Sequence, residues 1–266
     1  MKEMNKISIV TVCYNNVSLI EQCVQSVVNQ QYPYIEYIVV DGASTDGTLD
    51  IIKKYSDKIS VLISEEDNGI SDAINKGISN CTGDYVLFVN SDDWLQPDVI
   101  SKIFENSVYY DDLLYGDMQY WKGDNKDYLF KPDHKNLIKE MTINGGASFF
   151  KLTTLKELGG FDFSYSYAMD YEISLRFYTH KKKFLYLPYC IANMRYGGVS
   201  DVYAFRALDE VFKAKVKHKI TSSSAGKLYL YYQKARMLVR IFLEKLGLSF
   251  FVELYRSRFS ILKKEL

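Results

Sequence analysis

The chain has 266 residues, of which 47% are hydrophobic and 25% charged, so a disordered chain is excluded and a globular protein is expected. This length allows one large core, or one domain with a smaller appendage. The formal net charge is zero, but the charge is distributed unevenly along the chain.

The cysteines and the apolar segments indicate a cellular location. Cys13, Cys23, Cys81 and Cys190 form no CxxC pair and have no histidine at metal-ligand spacing, so free thiols in a reducing compartment are expected. No apolar run approaches the roughly 18 residues of a membrane span, and residues 1–6 lack the apolar region of a signal peptide. The expected location is the cytoplasm.

Strand and helix patterns alternate along roughly the first 105 residues. Apolar, β-prone runs predict strands at 6–13, 34–40, 59–64 and 85–91. A capping box formed by Ser18 and Glu21 predicts a helix to about Asn29, and helices are also predicted at 49–55 and 72–79. This alternation predicts an α/β fold with a doubly wound, mostly parallel central sheet flanked by helices.

The rest of the chain is less regular. Strands are predicted at 113–118, 147–150 and 184–187, a helix at 169–177, and helices from about residue 203 onward. We therefore predict one domain over 1–202, with halves at 1–105 and 106–202, and a C-terminal helical extension over 203–266.

The C-terminal segment is basic and rich in aromatic residues. Residues 213–266 contain 13 Lys and Arg against three acids, a net +10, so residues 1–212 carry −10. The segment could dock on the inner face of the cytoplasmic membrane, or cancel charge against the acidic domain within the molecule or across a homodimer. No nucleic-acid partner is expected, because no nucleic-acid-binding motif accompanies the charge.

Acidic residues follow successive predicted strands. Asp41 ends the second, Asp67 follows the third, and Asp92 and Asp93 end the fourth. If the strands are parallel, these carboxylates line one crevice at the carboxyl edge of the sheet. Mg²⁺ and Mn²⁺ often take one or two carboxylates and complete their shell with phosphate oxygens, so a metal-held nucleotide diphosphate is expected. The alternative for the Asp92–Asp93 pair is an Asp-rich turn.

Six segments, taken together and in order, resemble glycosyltransferase family 2, which has the GT-A fold. They are residues 8–15, 39–48, 67–77, 83–93, 159–162 and 168–176. The resemblance runs from about residue 6 to residue 200. It implies that 1–105 is the nucleotide-sugar-binding half, and 106–202 the acceptor-side half, of a catalytic domain.

The resemblance also implies roles for individual residues. Asp41 would contact the nucleobase, Asp92 the ribose or donor sugar, and Asp93 with Asp92 would hold Mn²⁺ or Mg²⁺. Asp170 would be the general base that takes the proton from the acceptor hydroxyl. The remaining donor-site residues that the motifs imply are Thr11, Tyr14, Asn15, Ser44, Asp67, Asp72, Asn75, Lys76, Asn90, Ser91 and Arg195.

Several of these assignments have alternatives. Glu172 is a rival base, since Met169 stands before Asp170 where the family often has Glu; on a helix the two acids would point to different faces. Arg195 could form a structural salt bridge instead of pairing with phosphate. Trp94 could be a sugar platform or a core residue.

The function implied by the resemblance is inverting transfer of a hexose or N-acetylhexosamine from a UDP-sugar to a glycan acceptor. A polyprenyl-diphosphate-linked precursor of O-antigen, lipopolysaccharide or capsule is the expected acceptor. The processive QxxRW motif is absent, which favours addition of one sugar at a time. The alternatives are a nucleotidyltransferase acting on sugar phosphates and a non-catalytic sugar-binding module.

Overall fold

A computed structural model describes residues 4–198, 202–248, 250 and 263–265. The strands are β1 Ile7–Cys13, β2 Ile35–Asp41, β3 Val61–Ser64, β4 Tyr85–Asn90, β5 Trp94–Leu95, β6 Leu113–Lys122, β7 Asn125–Lys131, β8 Ser148–Lys151, β9 Phe184–Arg195 and β10 Lys263–Glu265. The helices are α1 Ile20–Val28, α2 Thr48–Lys53, α3 Ile70–Asn80, α4 Val99–Phe104, α5 Leu152–Glu157, α6 Met169–Thr179, α7 Ala204–Lys217 and α8 Ser223–Lys245.

The amino-terminal half of the sheet is parallel. β1 lies between β2 and β4, and β3 completes the order β4-β1-β2-β3. All four strands are connected by segments that contain helices, which is the arrangement that parallel neighbours require. The predicted α/β fold is confirmed, and the carboxyl ends of the four strands lie at one edge.

The second half of the sheet is mixed. β8 pairs antiparallel with β4 and with the start of β6, whose other edge runs parallel to β9. β7 continues antiparallel from the end of β6, and β10 adds to β7. The pairing of β5 with β9 brings the segment after the Asp92–Asp93 pair against the far half of the chain.

Two apolar layers cover the two faces of the sheet. Along β4, alternate side chains enter different layers: Leu87 lies in the layer that includes α1 and α4, and Phe88 in the layer that includes α3, α5 and α6. Both faces are therefore buried, which explains why β1 and β4 are apolar without alternation. Full burial of a large apolar side chain contributes roughly 1.5–3 kcal/mol, so these two layers are the main source of stability.

The predicted capping box is wrong. α1 begins at Ile20 after Leu19 and has no side-chain cap, because the carbonyl of Asn16 accepts the amides of both residues. The Glu21 carboxylate instead accepts a hydrogen bond from the hydroxyl of Tyr55 at 3.0 Å.

The C-terminal helices pack on the domain. Ala214 of α7 is fully buried in the α3–α5–α6 layer, and Lys217 forms salt bridges to Asp162 and Glu172 at 2.7 and 2.8 Å. The basic segment is thus partly neutralised within the molecule. Among the described helices, none is both long and apolar enough to cross a bilayer. The division of the chain at residues 105 and 202 stays a prediction.

Candidate active site

Three loops meet at the carboxyl edge of the parallel strands. The backbone N–H of Asn15, after β1, donates to the Ser44 hydroxyl, and the side-chain amide of Asn16 donates to the Ser91 hydroxyl, both at 2.8 Å. The Asn15 side chain also accepts the Thr45 N–H at 2.8 Å. These bonds join the segments that follow β1, β2 and β4, and we call the region that these loops border the carboxyl-edge crevice.

The Asp92–Asp93 pair lies at this crevice. Asp93 is 4% exposed, and its carboxylate accepts the Arg195 N–H at 3.3 Å and the Asn90 amide at 3.4 Å. Burial raises the pKa of Asp92, and burial together with the neighbouring charge of Asp92 raises the pKa of Asp93 well above its usual range. Two acids in this environment ionise together only when a cation compensates them.

The carboxylate pair fits a divalent cation that is shared with a substrate. Within the described residues, no cluster of three or more His, Cys, Asp or Glu side chains is arranged to hold a metal. Mg²⁺ and Mn²⁺ are commonly held by one or two carboxylates plus phosphate oxygens, which is the donor set that Asp93 and Asp92 offer. A Cβ added to Gly198 would lie 3.5 Å from the Asp92 carboxylate, so the segment after β9 also borders the pair.

Arg195 lies beside the carboxylate pair with an unused donor. Its guanidinium stacks on the Trp94 ring at 4.3 Å and donates to the side chain of Gln22. Its Nη1 atom is buried and has no hydrogen-bond partner among the described residues. Because buried polar atoms are normally satisfied, this N–H indicates a place for an anionic ligand atom. Trp94 also packs against Trp121, with ring centroids 5.4 Å apart.

Asp67 and Tyr14 flank Gly42 on the β2 side of the crevice. A Cβ at Gly42 would come within 2.5 Å of the Asp67 carboxylate and 3.4 Å of the Tyr14 ring. Glycine is therefore needed here for the loops to approach, and Tyr14 remains 65% exposed at the rim.

Asp41 is fully buried at the end of β2. Its carboxylate accepts the Ser64 hydroxyl at 2.7 Å and the Ser44 N–H at 3.2 Å. In this arrangement Asp41 orients the two serines, and its contact with a nucleobase stays a prediction.

Four other predicted donor-site residues have side chains bound elsewhere. Thr11 is buried in the core against Tyr37 and Cys23, so the structure does not bring it to the crevice. Both polar atoms of the Asn75 amide bind the backbone of Phe161, at 2.8 and 2.9 Å. Asp72 and Lys76 interact with the 65–68 segment and with each other: Asp72 accepts the Asn68 N–H, and Lys76 binds Glu65 and the Glu66 carbonyl.

Asp170 lies in the first turn of α6 on the other side of the site. Burial raises its pKa to about 6, although it also accepts hydrogen bonds from the N–H groups of Tyr171 and Gly145. Gly145 approaches so closely that a Cβ there would lie 2.8 Å from the Cβ of Asp170. A carboxylate with a pKa near neutrality is suited to accept a proton at physiological pH.

The start of α6 is held by an acid from α7. The Glu210 carboxylate accepts the N–H groups of Ser166, Tyr167 and Ala168 at 2.8–3.1 Å. These amides lie at and just before the N-cap of α6, Ala168, and a negative charge at this end suits the helix dipole. Glu210 thus fixes the turn that carries Asp170.

Glu172 faces away from Asp170 into an ionic cluster. It is 1% exposed and binds Arg176, Lys217 and His218, the last two at 2.8 Å. Burial alone would raise the pKa of Glu172, but hydrogen bonds from His218, Arg176 and Lys217 outweigh it and lower the pKa to about 2. This geometry gives Glu172 a structural position and leaves only Asp170 of the two acids beside the Gly145 loop.

Tyr120 connects the two sides of the site. The Asn144 amide donates to its hydroxyl at 3.2 Å and also contacts the Met194 sulfur at 3.4 Å. Met194 precedes Arg195, whose N–H binds Asp93, and Asn144 precedes Gly145, which contacts Asp170. Burial raises the pKa of Tyr120, and the charges of Asp93 and Asp170 both add to that shift. Both carboxylates are therefore near one tyrosine.

A match to a protein-family profile assigns this chain to a family. The profile described as "Glycosyl transferase family 2" matches residues 8–174, more than half of the chain. The chain belongs to glycosyltransferase family 2. The family is named for glycosyl transferases.

Two bacterial relatives match part of this family 2 chain. It is 36% identical over 108 residues to glycosyltransferase GlyA of Streptococcus pneumoniae, which is 40% of this chain and 16% of that protein. It is 40% identical over 102 residues to TuaG of Bacillus subtilis, a protein named for teichuronic acid biosynthesis, which is 37% of this chain and 40% of that protein. The matches thus span less than half the length of either relative.

Solved structures show that the family 2 chain has the GT-A fold. Staphylococcus aureus TarS 1–349 in complex with UDP superposes with a TM-score of 0.61 at 21% identity, covering 79% of this chain and 65% of that one. The mannosyltransferase PcManGT of Pyrobaculum calidifontis, in complex with GDP-Man and Mn²⁺, superposes with a TM-score of 0.65 at 17% identity, covering 86% and 70%.

Sequence reasoning missed three residues of this family 2 site. Gln22 binds Arg195, which is 173 positions away in the sequence. Glu210 binds the start of α6, which is 42–44 positions away. No local sequence pattern indicates such distant pairs. Tyr120 is one of two adjacent aromatics near the end of β6, a hint that becomes meaningful only when β6 is known to lie beside β9.

Proposed function

We propose that this protein transfers a hexose or an N-acetylhexosamine from a UDP-sugar to a glycan hydroxyl, with inversion and with Mn²⁺ or Mg²⁺. The observation that carries the proposal is that two carboxylates, Asp93 and Asp170, both lie near Tyr120. Asp93 has Asp92 and the unused N–H of Arg195 beside it, and burial raises the pKa of Asp170 to about 6.

The donor side supports a nucleoside diphosphate. Asp93 and Asp92 would hold the cation, which when bound supplies Lewis-acid neutralisation of the charge on a departing diphosphate. Arg195 would donate its Nη1–H to a diphosphate oxygen, and its stacking on Trp94 fixes the direction of that donor. The solved relatives support this choice, since TarS binds UDP and UDP-GlcNAc, and PcManGT binds GDP-Man and Mn²⁺.

The acceptor side supports a single displacement. The ionised Asp170 carboxylate would take the proton of an acceptor hydroxyl as that oxygen forms a bond to the anomeric carbon and the bond to UDP breaks. Attack from the side opposite the leaving group inverts the anomeric configuration and needs no covalent enzyme intermediate. Glu210, which holds the turn that carries Asp170, acts as a positioning residue.

The outer face of α8 supports contact with a membrane surface in the cytoplasm, where a lipid-linked acceptor would be presented. Apolar side chains 57–75% exposed lie on one side of this helix and form what we call the exposed stripe: Leu228, Tyr231, Leu238, Phe242 and Leu246. Lys227 and Lys245 are exposed close to this stripe. A basic, amphipathic surface of this kind binds anionic bilayers.

Isothermal titration calorimetry with UDP and UDP-sugars tests the donor proposal. The protein should bind UDP far more tightly with Mn²⁺ than with EDTA, and Asp93→Asn should remove this metal dependence. Asp98→Asn, a nearby acid at the start of α4, is the matched control and should bind as the wild type does. Equal binding with and without metal, or unchanged metal dependence in Asp93→Asn, would refute the assignment of the pair.

A further inference from the structure

A large cavity lies between the C-terminal helices and the acceptor side of the domain. Its volume is about 760 Å³, within the roughly 300–1,000 Å³ range of ligand pockets. Its walls come from β6, β7, the segment 138–144, α7, α8 and the connection between these two helices, and they are mostly apolar. Prominent wall residues are Phe130, Ile138, Ile143, Val211, Phe212 and Leu230.

The cavity shares two wall residues with the proposed catalytic site. Tyr120 and Asn144 are wall residues, and the same two side chains link the surroundings of Asp93 to those of Asp170. Asn144 directly precedes Gly145, which contacts Asp170. A molecule whose hydroxyl is held at Asp170 could therefore extend an attached group into the cavity.

The wall also carries an excess of positive charge. Lys139, Lys215 and Arg236 are wall residues, against Glu140 as the one acid among them. Lys215 is 7% exposed; its ammonium group donates to the Lys139 carbonyl and lies 4.9 Å from the Tyr229 ring. Burial lowers its pKa, so a nearby anion would favour its charged form.

One face of α8 lines the cavity, and the opposite face carries the exposed stripe. Gly226, Leu230, Gln233 and Met237 line the cavity at helical spacing, whereas the exposed stripe lies on the opposite side of the same helix. The cavity face is thus bordered by packed elements, and two of its wall residues, Tyr120 and Asn144, lie beside the proposed catalytic site. That favours a part of a substrate over a partner protein as the occupant.

We propose that this cavity binds the aliphatic chain of a phosphate-linked acceptor while the acceptor hydroxyl lies at Asp170. The apolar walls accommodate the chain, and the cationic side chains complement the phosphate. The statement about the hydroxyl rests on the proposed function, but the binding of an anionic aliphatic chain can be measured without any glycosyl transfer.

Binding of alkyl phosphates below their micelle concentrations tests the proposal directly. Octyl, decyl and dodecyl phosphate should bind with one-to-one stoichiometry, and affinity should rise by up to fourfold per added CH₂, the equivalent of ~0.8 kcal/mol. Dodecyltrimethylammonium, with the same chain and the opposite charge, should bind at least fivefold more weakly. If affinity does not depend on the length of the alkyl chain, the proposal is overturned. If dodecyltrimethylammonium binds as tightly as dodecyl phosphate, the proposal that the wall recognises phosphate is overturned.

Two matched substitutions locate the binding. Ala207→Phe places a ring in the cavity wall and should weaken dodecyl phosphate binding at least tenfold, whereas Ala235→Phe, at an exposed position of α8, should leave it unchanged. UDP binding should be the same in both variants, so a failure here is distinguishable from a failure of the donor site. Equal effects of the two substitutions would overturn the location.

Photolabelling of the wild type provides a second measurement that does not depend on the folding of a variant. A dodecyl phosphate with a diazirine near its chain end should label wall residues such as Ile143 and Phe212. Labelling confined to the exposed stripe would mean that the probe adsorbs to the surface. Absence of label from the cavity wall would mean that another part of the chain already fills the cavity. Either result overturns the proposal.

Discussion

Replacement of Asp170 by asparagine should separate catalysis from folding. Asparagine keeps the shape of the side chain, and its Oδ1 can still accept the N–H of Tyr171, so the turn at the start of α6 should persist. It cannot take a proton from the acceptor hydroxyl. Loss of a general base typically lowers the rate by about 10²–10⁴-fold, and we expect kcat to fall within that range with UDP binding unchanged.

The pH profile gives the magnitude of this prediction. With a pKa of about 6, roughly 97% of Asp170 is ionised at pH 7.5 but only about 9% at pH 5, so kcat/KM should fall about tenfold between these values. A carboxylate with the usual aspartate pKa would stay more than ~90% ionised at pH 5 and would give almost no decrease.

The assay is release of UDP in the presence of acceptor, measured from pH 4.5 to 8 for the wild type, Asp170→Asn and Glu172→Gln. Asp170→Asn should have a much lower kcat and should lose the decrease of kcat/KM on the acid side of pH 6. Glu172→Gln should keep that decrease, which we call the acid limb, when it is assayed at a temperature at which the variant is folded. If Glu172→Gln removes the limb and Asp170→Asn does not, the assignment of the base is refuted.

Three further outcomes are expected. Glu172→Gln should lower the free energy of unfolding by about 3 kcal/mol and Tm by roughly 6–12 °C in calorimetry at neutral pH, because it leaves the nearly buried Arg176 guanidinium without its carboxylate partner. The folded-state pKa of Glu172 is depressed to about 2, so the stabilisation by its carboxylate is present above about pH 4.5 and is lost as pH falls towards 2. Glu172→Gln should lack this part of the pH dependence. An acid-unfolding profile that is the same in the variant and the wild type would contradict the structural role of Glu172. Gly42→Ala should weaken UDP binding at least tenfold in titration calorimetry, because its methyl group would displace Asp67, whereas Gly123→Ala at the β6–β7 turn should not. Phe242→Glu on the exposed stripe should reduce sedimentation with anionic vesicles several-fold without changing UDP binding, and equal sedimentation would argue against the membrane surface.

The parallel half of the fold could be predicted because its signals are local. β1 and β4 are continuous apolar runs that end at turn residues, and the helices between them show their own periodicity. The segment Asn125–Lys131 gave no such signal, because its first three residues are exposed and only Tyr128 and Phe130 are buried. β9 was predicted to end at 187, but it continues through Pro188 to Arg195 because β6 pairs with it along most of its length.

The site was predictable to the extent that its chemistry follows the ends of strands. Asp92 and Asp93 could be placed at the carboxyl edge from the strand pattern alone. The separation of Asp170 from Glu172 could be expected from helical geometry, but the cluster that holds Glu172 depends on Lys217 and His218, 45 and 46 positions away. The cavity is built from several separate segments between β6 and α8, and none of them shows a ligand-binding pattern by itself.

Analysis of the products formed from UDP-hexoses and UDP-N-acetylhexosamines tests the central claim most directly. With Mn²⁺, the protein should release UDP together with the free or transferred sugar, and Asp93→Asn should abolish this release. UMP with sugar 1-phosphate would indicate cleavage within the diphosphate. Formation of UTP and sugar 1-phosphate from the UDP-sugar and pyrophosphate would indicate nucleotidyl transfer. Either product pattern would contradict glycosyl transfer at this site.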